Sequence, residues 1–117
     1  MNQNVIMIKY YLIKYNGNYA DEFDVYFHTV MTDKELDSTK KIISKTNWKE
    51  KEFYFGTNEW IEVSTNELLS ALNKAVQITE EQFKVLQELD VQHIGFGDGL
   101  NWDWIIDCAI DEKDNNF

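Results

Sequence analysis

Residues 5–36 read VIMIKYYLIKYNGNYADEFDVYFHTVMTDKEL, and the fold turns on how this stretch is parsed. Val5 to Tyr15 is apolar on both faces, the pattern of a strand in the middle of a sheet. Glu22 to Val30 alternates instead, with Phe23, Val25 and Phe27 on one face. Between them NGNYAD, with Gly17 and two asparagines, supplies the turn chemistry of a hairpin. At Met31-Thr32-Asp33-Lys34-Glu35-Leu36 the period changes. The Thr32 hydroxyl can accept from the amide three residues on, while Glu35 reaches back, and Met31 and Leu36 can close an apolar staple. The sequence thus predicts a helix over Asp33 to Ser44. Leu36 and Ile43 would face inward, and Lys40, Lys41 and Lys45 would lie near its C-terminal end, where the helix dipole favours cations.

The same signature recurs twice. Val63-Ser64-Thr65-Asn66-Glu67-Leu68 opens a helix expected to run to about Ala75, with Leu68, Ala71, Leu72 and Ala75 on its apolar face. Ile78-Thr79-Glu80-Glu81-Gln82-Phe83 opens another, expected over Glu80 to Leu89 and burying Phe83, Leu86 and either Leu89 or Val85. Ahead of these, Glu52–Phe55 and Glu59–Val63 flank Gly56-Thr57-Asn58 as a second hairpin. The C-terminal segment fits two templates. Asp98-Gly99 between HIGFG and LNWDWII is a hairpin turn signal. A strand would put Trp102, Trp104, Ile106, Cys108 and Ile110 on one face. A helix would gather Trp102, Ile105, Ile106, Ala109 and Ile110, with Asp103, Asp107 and Asp111 at i, i+4 and i+8. The strand is preferred because Trp and Ile favour strands and the turn is adjacent. The expected fold is α+β: a mainly antiparallel sheet of about six strands with three short helices, in the order ββα–ββα–α–ββ, the last element a strand or a helix. One domain should span residues 1–117, with the tail from 112 to 117 frayed.

Composition narrows the function. Among 117 residues, 21 Asp+Glu outweigh 11 Lys+Arg, every one of the basic residues is lysine, and the formal net charge is −10. An apolar content of 44%, with 15% aromatic, is enough for a packed core. Affinity for phosphate rests on Lys and Arg, so direct nucleic-acid binding is disfavoured, and without Arg there is no bidentate phosphate fork. One cysteine cannot form an internal disulfide, which points to a reducing compartment. No apolar run is long enough to cross a bilayer, and the N-terminus lacks the pattern of a signal peptide. The expected location is the cytoplasm of a bacterial cell, since the abundance of Lys, Asn and Ile fits an AT-rich bacterial, plasmid or phage genome.

Residues that carry chemistry are sparse. Cys108 lies in an acidic stretch that disfavours a thiolate, and nothing in the sequence brings it to His28 or His93. Ser64, Thr32 and Thr79 are accounted for as helix caps. Asp98, Asn101 and Asp103 lack the offsets of a calcium loop, and the acids at 21, 22 and 24 form only a loose cluster. Gly95-Phe96-Gly97-Asp98-Gly99 lacks the spacing of a dinucleotide fingerprint and stands in the most negative part of the chain. The sequence therefore leads us to expect no catalytic residue, no metal site and no cofactor, and hence no enzyme.

The charge is uneven. Residues 31–51 hold six lysines against four acids, whereas residues 91–117 hold six acids and one lysine. Acidic side chains elsewhere alternate with aromatics. The expected partner-binding face comprises Asp21, Glu22, Asp24, Tyr26, Glu59, Trp60, Glu62, Asp98, Asp103 and Asp107, a negative surface with aromatic anchors that suits a basic protein groove. NYADEFDV (residues 18–25) and FYFGTNEWIEV (residues 53–63) resemble stretches in small proteins of phages and mobile elements of low-GC bacteria. In size and acidity the chain also resembles phage anti-defence inhibitors such as anti-CRISPR proteins, several of which mimic DNA. That resemblance implies a non-enzymatic inhibitor of a nucleic-acid-processing host protein, for example a CRISPR nuclease, with no membrane role. The alternative is an immunity or antitoxin-like protein neutralising a basic toxin, which a toxin gene next door would favour. A third is a small hydrolase or isomerase.

Overall fold

In the computed structural model the described residues are 7–19, 23–54, 60–89 and 102–115, with 16–19, 23–27, 60 and 112–115 described through the backbone alone. Two long strands dominate, β1 (Tyr10–Tyr19) and β2 (Phe23–Thr32), paired antiparallel from Tyr10↔Thr32 to Tyr19↔Phe23. The expected strand ends at Tyr15. The observed one continues through Asn16, Gly17 and Asn18 to Tyr19. The ladder formed by these residues opposite Phe23–Tyr26 outweighs their turn preference.

Helix α1 (Asp33–Ser44) follows β2 directly. Its cap has both halves of the expected box: the Thr32 hydroxyl accepts from the Glu35 amide, and the Thr32 amide donates to Glu35 Oε1 at 2.8 Å. The chain then forms β3 (Lys51–Tyr54) and β4 (Trp60–Val63), paired antiparallel, and α2 (Thr65–Asn73), capped by the Ser64 hydroxyl. Here the box is altered, because the Glu67 carboxylate accepts from the Ser64 side chain. The connection out of α1 is tied to α2: the Thr65 amide donates to the Trp48 carbonyl and the Trp48 amide to the Thr65 hydroxyl, each at 2.9 Å.

A three-residue strand not anticipated from the sequence, β5 (Val76–Ile78), joins α2 to α3 (Glu80–Glu88), whose Thr79/Gln82 capping box is complete. β4 and β5 run the same way along the edge of β1 that β2 leaves open, one at each end, with α2 looping out between them. β5 pairs with Tyr10–Leu12, whereas β4 meets β1 through the single bridge Tyr19↔Ile61. The sheet is therefore a three-stranded part, β2-β1-β5, hinged to the β3–β4 ribbon.

The last element corrects the sequence reading: Trp102–Asn115 is a helix, α4, and it continues into the stretch expected to fray. Burial explains the outcome. Trp102, Ile105 and Ala109 are buried and fall on one helical stripe, while Ile110 is exposed. The described residues thus hold four helices rather than three and five strands rather than about six; the strand expected over HIGFG lies outside them.

Alternate residues of the sheet serve two layers. On one face Ile13, Tyr15, Met31, Phe53, Ile61 and Val63 join α1 (Leu36, Ile43), α2 (Leu68, Leu72) and α4 in one buried cluster. On the other face stand Tyr10, Leu12, Val30, Val76 and Ile78, with α3 alongside β1 and β2. Phe83 is buried there, 4.7 Å from the Tyr10 ring between centroids. The expectation that Leu89 or Val85 is buried fails. Both are exposed, because one two-turn helix over a wide sheet can bury only a narrow stripe.

Candidate functional site

The most ordered acidic feature is the outer side of α4. Trp102, Ile105 and Ala109 turn that helix onto the core, so Asp103, Asp107 and Asp111 fall on the opposite side and are exposed. Successive aspartates rise by about 6 Å and rotate by about 40°, giving a gently spiralling line of carboxylates. Trp104, Ile106 and Cys108 flank the line and pack at the margin of the core, Trp104 stacking edgewise on Phe53 at 5.6 Å. Asp103 sits in the first turn, where the helix dipole stabilises a negative charge.

A second acidic surface lies on the β3–β4 ribbon. Phe53 and Ile61 face the core, so Glu52 and Glu62, directly paired in register, face out, as does Tyr54. The Tyr54 hydroxyl donates to Glu52 Oε1 at 3.1 Å. Its pKa is held above the usual tyrosine value, first by that hydrogen bond, then by slight desolvation and by the negative charges of Glu52 and Glu62. Like charges directly opposite one another on a sheet oppose pairing. A ribbon that keeps two of them is not optimised for its own stability at this point.

The ten residues expected to form one face are placed as follows. Asp103 and Asp107 are brought together on α4, whereas Glu62 is on the ribbon's outer face, with α4 packed toward its inner one. Asp24, Tyr26 and Trp60 occupy register positions opposite Asn18, Asn16 and Tyr54. Asp21, Glu22, Glu59 and Asp98 lie outside the described residues. Two acidic residues of these surfaces were not assigned to the expected face from the sequence. Asp111 follows from the i, i+4, i+8 spacing once the helix is established. Glu52 follows from pairing the strands symmetrically about Thr57, which sets residue 52 opposite 62.

Catalytic groups do not converge among the described residues. Cys108 packs toward the core from α4, and His28 is across the sheet from it, opposite Lys14. Burial, with Lys14 adding to it, lowers the His28 pKa below the usual imidazole value. A cleft of about 450 Å³ opens where Met31, Lys34, Ser38, Asp103 and Ile106 meet, and neither Cys nor His is among its described walls. No group of three or more His, Cys, Asp or Glu gathers among the described residues to hold a metal ion, and no helix there is long and apolar enough to cross a membrane.

The fold and these surfaces define an α+β protein with an acidic exterior. Compared with known proteins, the chain matches no family model, no curated protein and no solved structure at a significant level.

Proposed function

We infer that this chain is a non-enzymatic inhibitor that docks its acidic surface in the basic groove of a nucleic-acid-processing protein. The observation that supports this reading is the exposed line Asp103-Asp107-Asp111 on α4. Carboxylates that climb a rigid helix by about 6 Å from one to the next present the regular negative charge that a phosphate-binding groove is built to receive. They need no order imposed on binding, which spares affinity the cost of immobilising a loop. Tyr54 with Glu52 and Glu62 offers a second contact for a partner large enough to reach around the ribbon.

The test is titration of the folded chain against purified nucleases, CRISPR effectors included, at several salt concentrations with nucleic acid as competitor. Binding should weaken steeply with salt, compete with nucleic acid, and fall when Asp103, Asp107 and Asp111 are replaced together by Asn. A complex indifferent to salt, or one untouched by the triple substitution, sinks the reading.

A further inference from the structure

Across the sheet from α4, helix α3 leaves an apolar groove open. Leu12, Ile78, Val85 and Leu86 line it with Glu81 and Gln82, enclosing about 440 Å³. Around it Val76, Val85 and Leu89 are 45%, 53% and 59% exposed. This is more contiguous apolar surface than isolated exposed side chains require, and such patches mark sites of association. Its border is acidic: Glu80, Glu81 and Glu88 are exposed, and Lys84 is engaged by Glu80 at 3.3 Å. Charge decides the occupant. A second copy would bring the glutamates of two α3 helices together in a partly desolvated seam, and each chain already carries a net charge of −10. A cationic border meets no such penalty.

We propose that the groove between α3 and the β1–β5 edge is a docking site for an amphipathic helical segment of a partner protein whose apolar stripe is flanked by lysine or arginine. Apolar side chains at helical spacing enter beside Leu12 and Ile78, and their basic neighbours reach Glu81 and Glu88. This surface is independent of the aspartate line on α4 and stands or falls without it.

The experiment uses the intact, isotope-labelled chain and a designed helical peptide of leucine and lysine, with a leucine and glutamate version as control. Resonance shifts should concentrate at Leu12, Val76, Ile78, Val85 and Leu86. The glutamate peptide should bind at least about tenfold more weakly, and Val85→Asp with Leu89→Asp should cost a similar factor. Both substitutions are at exposed positions, so the fold is retained, which amide spectra verify. The α4 triple Asn variant should bind the peptide through this groove unchanged. The proposal is overturned if the shifts map to α4, if the double Asp variant binds normally, if sedimentation shows a dimer that Val85→Asp dissolves, or if Val85 and Leu89 already contact another stretch of the same chain.

Discussion

Tyr15 and Trp102 meet edge to face inside the core, ring centroids 6.2 Å apart and planes at 89°. The contact joins the central strand to the last helix, and Trp102 is fully buried. Edge-to-face geometry sets the positive rim of one ring against the negative face of the other. Trp102→Ala should therefore cost about 3–5 kcal/mol of stability, and Trp102→Phe distinctly less. Urea unfolding followed by circular dichroism measures both.

The two complete capping boxes should each contribute separately. Thr32→Ala and Thr79→Ala are expected to lower stability by about 1 kcal/mol apiece, and the double variant by close to the sum, since the caps share no partner. Hydrogen exchange should place the loss from Thr79→Ala in α3 before it is felt elsewhere.

Acid should weaken the fold through His28. Its folded pKa lies below the unfolded value near 6.5, so the native state binds fewer protons than the unfolded state between the two values. The stability present above pH 6.5 is then lost as pH falls through that window. Lys14→Gln should raise the His28 pKa, read by imidazole proton shifts, and flatten the acid limb, though burial will keep part of the shift. At the alkaline end Tyr15 acts in the opposite sense. Burial and the nearby Glu67 raise its pKa, so stability declines once pH exceeds about 10, the unfolded tyrosine value.

Tyr54 reports the charge on the ribbon. Glu52→Gln should lower its pKa clearly and Glu62→Gln slightly, because the first weakens the hydrogen bond and the second removes only a charge. Ultraviolet titration separates Tyr54 from the other tyrosines when a Tyr54→Phe variant serves as reference.

On α4 the three aspartates should differ in what they do for the fold. Asp107→Asn and Asp111→Asn are expected to change stability by no more than about 0.5 kcal/mol. Asp103→Asn should cost about 0.3–1 kcal/mol, since it alone lies in the first turn. Thermal unfolding at low and high salt checks the difference, which added salt should shrink.

The helix starts were legible because capping is a local matter. Thr32, Ser64 and Thr79 find their partners three residues away, so the sequence window contains the whole interaction. The identity of residues 102–111 was not legible, since Trp102, Ile106 and Ile110 satisfy periods of two and four alike. Only the packing of Ile105 and Ala109 against distant residues breaks the tie. β5 escaped notice for another reason: three residues cannot display alternation, and they are held as a strand by Tyr10–Leu12, far away in sequence. For the acidic surface, the sequence led us to expect Asp103, Asp107 and Glu62 on one face; the structure keeps the two aspartates together on α4 and sets Glu62 on the ribbon, because composition carries no information about which side of a sheet a helix will cover.

The place of α4 in the chain has a consequence for synthesis. Among the described residues, Trp102, Ile105 and Ala109 are the last of the core to be made, after every strand and helix they pack against. Until they are made, the nascent chain lacks three members of the buried cluster that also holds Ile13, Ile43 and Leu72. Cooperative closure is thus deferred until α4 itself has been synthesised. A nascent chain stalled before residue 102 should remain a substrate for chaperones and proteases, however complete its secondary structure.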